Sequence, residues 1–363
     1  MKVRETILNI KPYVPGKPAD EVQRELGISN VVKLASNENP LGPSPKAIEA
    51  IKEAASRMQI YPDGNCFYLK EALASHLGVT VSNLIMGNGS DEIIKMIAET
   101  FLNEGEEVIF ADPSFSEYEF ATILMGGRCV KVKLKDFSTD LKDISAAVTG
   151  KTKLIFLCSP NNPTGTIITK DEFKEFMEGI REDIIVILDQ AYLEYVEDPE
   201  YADGLDETKE GRNVILLKTF SKAYGLAGLR IGYAIAKPEI ISYLNRVKEP
   251  FNVNAMAQIA ALNALADEEH LKRCVDLVLN EKIYLYSELE SRGLDYVPTE
   301  ANFIFVNIKT DCREFFNEML KKGVIIRTGD IFGFPEFIRV TIGTREENKR
   351  FLQALDEVLG RVI

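Results

Sequence analysis

The 363-residue sequence predicts an α/β protein, with a large domain around a mostly parallel sheet and a smaller C-terminal α/β domain. Three observations carry that prediction. From about residue 83, short β-branched runs alternate with amphipathic stretches, the order that lays helices against a parallel sheet. Several of the runs, such as KLIFLC (153–158), IIVILD (184–189) and VILLK (214–218), are apolar throughout, as strands buried on both faces are. The length exceeds what one ordinary core accommodates.

The elements follow in order. PYVPGKP (12–18) makes residues 1–30 read as an extended arm rather than a core element. NLIM (83–86) is strand-like. Ser90 then caps a helix that carries Ile93, Ile97 and Phe101 on one face, with Asp91 and Glu92 suiting its positive end. EEVIFA (106–111), CVKVKL (129–134) and RIGYAIA (230–236) supply further strands of a large domain spanning 50–250. A long helix from Asn254 to about Arg292, broken near Asp267, leads into strand ANFIFVNI (301–308) and helix EFFNEMLKK (314–322). Strands GVIIRT (323–328) and FIRVTIG (337–343) and a last helix with Phe351, Leu352, Leu355, Val358 and Leu359 on one face complete the chain. Residues 31–49 and 251–363 are assigned to the small domain.

Composition narrows the function. Hydrophobic residues at 45% and charged residues at 27% describe a globular chain. A net charge of −13 without a basic patch argues against nucleic acid as a partner. No apolar run reaches the ~20 residues of a membrane span. The opening MKVRETILNI lacks a basic segment followed by an apolar one, so no signal peptide is read and the cytoplasm is the expected compartment. Five scattered cysteines without CxxC spacing read as reduced, and His76 and His270 stand alone among helix formers. Neither a disulfide framework nor a metal site is expected, and protons must be moved by something other than histidine.

Lys222 is the residue that stands out. It follows the strand VILLK, with Thr219 and Ser221 beside it, Gly225 and Gly228 behind, and Arg230 suited to a phosphate. GNGSDE (87–92) follows a strand and opens a helix, so Gly89, Ser90 and Asp91 surround free backbone N–H groups at a positive helix end. Glu92 stands where a dinucleotide fingerprint needs its third glycine. Asp189 closes an apolar strand, where a buried carboxylate needs a partner. Asn162 begins Asn-Pro-Thr-Gly, a turn that stops the strand KLIFLC.

SPNNPTG (159–165), DQAY (189–192) and SKAYGLAGLRIGY (221–233), in that order and spacing, resemble the fold-type I aminotransferases that depend on pyridoxal 5'-phosphate, nearly end to end. The resemblance implies that Lys222 holds the cofactor as a Schiff base and that Thr219, Ser221 and Arg230 bind its phosphate. It implies Asp189 on the ring nitrogen, Asn162 and Tyr192 on the ring oxygen, and Tyr118 stacked on the ring. The family usually has Asp-Glu-Ala-Tyr where this chain has Gln190, one position removed from the cofactor's partners. NENPLGPSP (37–45), YPDG (61–64), FNVNAMAQ (251–258), IIRTGD (325–330) and IRVTIGTREEN (338–348) are similar to the histidinol-phosphate aminotransferases within that family. This implies a step of histidine biosynthesis, with histidinol phosphate and 2-oxoglutarate or glutamate as small-molecule substrates. Tyr13, Asn39, Arg327 and Arg339 would then face the substrate, and Tyr61 would reach the partner's cofactor phosphate across a homodimer. An aromatic aminotransferase, a threonine-phosphate decarboxylase and a cofactor-binding regulatory protein are the alternatives left open.

Overall fold

The computed structural model describes residues 2–10, 12 and 16–360. Its centre is a seven-stranded sheet in the order Leu84–Gly87, Gly232–Ala236, Val214–Thr219, Ile185–Asp189, Thr152–Cys158, Glu107–Asp112, Arg128–Lys133. Only Gly232–Ala236 runs against the rest. Side chains alternate across each strand, so the apolar runs feed two cores at once. Ile155, Leu157, Val186, Leu188 and Leu216 join one core, while Leu154, Phe156, Ile185, Ile187, Ile215 and Leu217 join the other.

The small domain is a four-stranded antiparallel sheet in the order Arg327–Thr328, Phe337–Thr341, Phe303–Asn307, Asp295–Val297. Helices Glu268–Ser291, Cys312–Lys321 and Arg345–Val358 cover it through Leu285, Phe315 and Phe351. The predicted break in the long helix is present, with Ala255–Leu265 and Glu268–Ser291 on either side of Asp267.

Three expectations need correction. The first ~30 residues are not a plain extended arm, since Ala19–Leu26 is a helix whose Val22 is fully buried against Ala35, Leu320 and Ile325. Val22 is that helix's one buried residue, too sparse a signal to outweigh the neighbouring prolines. The large core does not stop at residue 250. Ala257, Ala260, Ala261 and Ala264 pack into it, and so does Ala47 of the helix Pro45–Ala54, although residues 31–49 and 251–363 are the stretches the sequence assigns to the small domain. Small alanine side chains let these helices approach, and a hydropathy reading does not say which sheet they approach. Ser90 is not the cap of its helix. It is the first helical residue, and Gly89, with φ at 82°, holds the capping position.

One turn between the domains depends on a missing side chain. Gly165 has φ at 79°, and a Cβ there would lie 2.6 Å from Thr299 Cβ. The Gly165 carbonyl accepts from Glu300 N at 2.8 Å, which ties the loop carrying Asn162 to the approach of the strand Phe303–Asn307. Gly165→Ala is expected to lower stability by about 2–4 kcal/mol, from a left-handed conformation and overpacking together. In a Thr299→Gly background, which removes that Cβ but leaves the left-handed conformation at residue 165, chemical denaturation should show partial recovery. Full recovery, or no loss in the single variant, would contradict this account.

Candidate active site

The parallel strands end together, and the site forms at their C-terminal edge, where open α/β sheets bind ligands. Register sets Cys158 opposite Asp189, and Asp189 beside Leu217, two residues before Thr219 ends its strand. Lys222 follows three residues on. A cleft of about 920 Å³ opens over this edge, lined by Ser90, Asp91, Asn162, Asp189, Tyr192, Thr219, Ser221, Lys222, Arg230, Arg327 and Arg339. Residues far apart in the chain are thus brought to one cavity.

One end of the cleft is an anion cradle. Gly87 pairs with Gly232 in register, so the N-terminus of the helix Ser90–Phe101 sits against the neighbouring strand. A Cβ on Gly232 would lie 2.7 Å from Ser90 N, and one on Gly89 would lie 2.6 Å from an Arg230 Nη. Glycine is required at both positions to bring backbone N–H groups and a guanidinium together. Arg230 itself has φ at 55°, and its Nη2 donates to Asp91 Oδ2 at 2.9 Å. Thr219 Oγ1 accepts from Ser221 N at 3.0 Å, which shapes the turn before Lys222.

The centre holds two ionisable groups with displaced pKa values. Lys222 Nζ donates to Ser36 O at 3.3 Å and lies 5.6 Å from the centre of the Tyr192 ring. Burial, and then the positive Arg339, depress its pKa to about 8. Asp189 is 2% exposed; it accepts from Tyr118 Oη at 2.7 Å and from Ala191 N at 3.2 Å. Burial still outweighs those bonds and raises its pKa to about 6. A carboxylate in that condition is completed by a cation.

The other end is basic. Arg327 and Arg339 face each other in register on adjacent antiparallel strands. Arg339 Nη1 donates to Asn162 Oδ1 at 2.5 Å, and Nη2 donates to Ala35 O at 2.8 Å. Its guanidinium lies 5.2 Å from the centre of the Phe303 ring.

Several residues occupy places the sequence did not suggest. Tyr118 does not face the cleft. It is fully buried, stacked on Phe156 with ring centres 4.6 Å apart, and it reaches the site only through Asp189. Phe115, three residues earlier, lines the cleft instead. Two aromatics in PSFSEY carried the same signal, and only the helix start at Glu117 decides which turns inward. Asn39 also stands outside the cleft, its Nδ2 donating to Ala223 O at 2.8 Å and its Oδ1 accepting from Leu41 N at 2.9 Å. Asn37 takes the inner place, and its Nδ2 donates to Tyr192 Oη at 2.9 Å. Its φ of 54° marks a turn that NENP announces without saying which asparagine points inward. Tyr61 is 80% exposed, stacked on Phe251 and away from its own chain's cleft. Tyr13 lies outside the described residues. Gln190 turns away from the cleft, where its Nε2 donates to Asp203 O at 2.9 Å and to Tyr201 Oη at 3.1 Å. His270 is structural, with Nε2 3.1 Å from Gly42 O.

The arrangement suits a flat phosphorylated ring that carries an amine-reactive carbon and a basic nitrogen. The Asp189 pKa gives a test that needs no ligand. Its folded value lies above the ordinary 3.8, so its contribution is complete below pH 4 and lost as pH rises through about 6. In cofactor-free protein, Asp189→Asn should therefore gain on the parent by about 2–3 kcal/mol at pH 8 and by little at pH 4. Denaturation at the two pH values measures this. A gain independent of pH would mean that Asp189 is not the titrating group.

Comparison with known proteins identifies the family and the fold. The family described as "Aminotransferase class I and II" matches residues 29–355. A histidinol-phosphate aminotransferase of Moorella thermoacetica is 59% identical over 99% of this chain and 93% of its own length. One of Caldicellulosiruptor saccharolyticus is 49% identical over 98% and 99%. The crystal structure of the histidinol-phosphate aminotransferase of Sinorhizobium meliloti, in complex with pyridoxal-5'-phosphate, superposes with a TM-score of 0.92 at 28% identity, covering 99% of this chain and 98% of that one. A cradle, an amine and a buried carboxylate on one sheet edge, with two arginines opposite, sit in a chain that belongs to the class I and II aminotransferases.

Proposed function

We propose that this chain transfers the amino group of L-histidinol phosphate to 2-oxoglutarate, giving imidazole acetol phosphate and glutamate, with pyridoxal 5'-phosphate as cofactor. The printed names of its relatives support the substrate, and one observation of the site carries it: the cleft has two separate cationic ends with Lys222 and Asp189 between them. One end is for a cofactor phosphate, and the other is for the anion of the substrate.

The residues fit the cofactor on three counts. Gly89, Ser90, Thr219, Ser221 and Arg230, with Asp91 holding the guanidinium, form a cradle that a single Cβ would fill. Asp189 is a buried carboxylate whose raised pKa calls for a proton-bearing ring nitrogen. Asn162 and Tyr192 present an amide and a hydroxyl for a ring oxygen, and Phe115 a face for the ring. Bound there, pyridoxal phosphate supplies a carbonyl carbon for exchange with the amine and an electron sink for the bond that breaks.

The chain's own residues do the rest. Lys222, with a pKa near 8, is partly neutral at physiological pH, so its Nζ takes the proton from the amine-bearing carbon of the substrate. Asp189 keeps positive charge on the ring nitrogen, and Tyr118 holds that carboxylate in line. Arg339, oriented by Asn162 and Ala35, receives the substrate anion, with Arg327 beside it in register. Tyr13 is assigned to the substrate side, while Asn39 acts by fixing the loop that carries Asn37.

The donor's phosphate gives the decisive experiment. Charge-assisted hydrogen bonds contribute about 1.5–3 kcal/mol each, so losing two costs roughly two to four orders of magnitude in kcat/KM. Histidinol phosphate should exceed histidinol by that margin in steady-state assays, and Arg339→Ala should erase most of the difference. Phenylalanine equalling histidinol phosphate would transfer the assignment to aromatic amino acids.

We further assign a cytoplasmic homodimer. Tyr61, Phe67, Tyr68 and Phe251 stand exposed, an apolar group that a second copy covers. Tyr61, remote from its own cleft, is assigned to the partner's cradle, and its exposure supports that reading. Mixing Lys222→Ala with Tyr61→Ala subunits, each impaired alone, should restore activity through hybrid dimers with one intact site. No restoration after subunit exchange, verified by native mass spectrometry, would exclude shared sites.

A further inference from the structure

The cleft contains a carboxylate that none of the roles above uses. Glu117 opens the helix Glu117–Leu124, lines the cleft and is half-buried. Among the described residues its carboxylate has no hydrogen-bond or ion-pair partner. Burial, and the negative Asp91 nearby, push its pKa up. The other acids of the cleft differ. Asp91 is bound to Arg230, Glu119 to Lys131 and Glu38 to Lys33, while Asp112 stands exposed to solvent.

A carboxylate held partly out of water, beside a like charge, is relieved by a ligand that brings an N–H donor or a cation. Glu117 stands two residues after Phe115 and at i, i+3 spacing from Phe120 on the helix, and all three line the cleft. Flat apolar faces with an N–H on the edge describe the ligand group that fits both features. An imidazole ring has that form, with a donor nitrogen whether neutral or protonated.

We propose that Glu117 is the residue that selects the imidazole of the amine donor, accepting a hydrogen bond from a ring N–H. The proposal rests on the histidinol phosphate reading and divides the donor between two ends: the phosphate goes to Arg339 and the ring to Glu117. It also fixes a sign for the second substrate. The distal carboxylate of 2-oxoglutarate enters the same cleft and meets an unpaired negative charge, so Glu117 favours the donor and opposes the acceptor.

The test compares the parent holoenzyme with Glu117→Gln and Glu117→Asp, using histidinol phosphate and phenylalanine as donors. A hydrogen bond to a charged group corresponds to about a tenfold to hundredfold change, so the kcat/KM ratio of the two donors should fall by that factor in Glu117→Gln. Glu117→Asp should keep part of it. The KM for 2-oxoglutarate should move the other way and decrease. Calorimetric binding of histidinol phosphate to Lys222→Ala protein, with and without Glu117→Gln, should show the same loss in Kd without any turnover. An unchanged donor ratio overturns the proposal, as does an unchanged Kd or a parallel rise in the 2-oxoglutarate KM, which marks a merely structural residue. If the parent enzyme itself does not use histidinol phosphate, the functional reading falls and this inference with it. If the parent uses it and the ratio stays, this inference alone falls.

Discussion

The site is organised by the burial of Asp189. A carboxylate at the end of a strand enclosed on both faces loses most of its hydration, and two hydrogen bonds do not restore it. The fold accepts that penalty only because the cavity beside the strand admits a compensating charge. Once Asp189 is placed, its neighbours follow. Tyr118 must lie under it rather than in the cleft, the aromatic of that segment that lines the cleft is Phe115, and Lys222 must reach the same cavity from the adjacent strand. A glutamate at 190 would have stood next to this burden. The glutamine instead spends its amide on Tyr201 and Asp203 behind the sheet and adds no charge.

A second set of contacts holds the small domain to this arrangement. Asn37 donates to Tyr192 Oη, its backbone N–H donates to Thr341 Oγ1 at 2.9 Å, and its carbonyl accepts from Asn302 Nδ2 at 3.0 Å. Arg339 spans the same boundary through Asn162 and Ala35. The basic end of the cleft is therefore not independent of Tyr192 and Asn162. The asparagine that opens the family's Asn-Pro-Thr-Gly turn is held by the arginine assigned to the substrate anion, so a ligand on that arginine competes for the same guanidinium.

Much of this was legible in the sequence because the informative residues are constrained locally. Apolar strands ending in Asp189 or followed by Lys222 state both burial and position, and the glycines around Arg230 state close approach. What escaped depends on choices that short-range pattern leaves equal. Asn37 and Asn39 are the same residue type two positions apart, and a positive φ at Asn37 decides between them. Tyr118 and Phe115 are aromatics within one turn of a helix start. Val22 is one apolar position in a short polar helix, so its docking was invisible until Ala35, Leu320 and Ile325 were beside it. Glu117 is an acid in the first turn of its helix, a common place for one, and only its unpartnered position in the cleft distinguishes it.

The parallel pairing of Val32–Lys33 with Val324–Ile325 has a consequence for the order of assembly. All seven strands of the central sheet lie between Leu84 and Ala236. A chain emerging from the ribosome has therefore made Asp189 and Lys222, and the whole sheet that carries them, before the strand that captures Val32–Lys33 exists. During that interval the segment from Val32 to Asn37 has no small-domain partner, and Arg327 and Arg339 have not been synthesised. Closing so long a loop is entropically slow. The nascent protein thus passes through a stage with a finished floor and an unroofed pocket, and that stage is where its apolar surfaces are open to chaperones or to other copies.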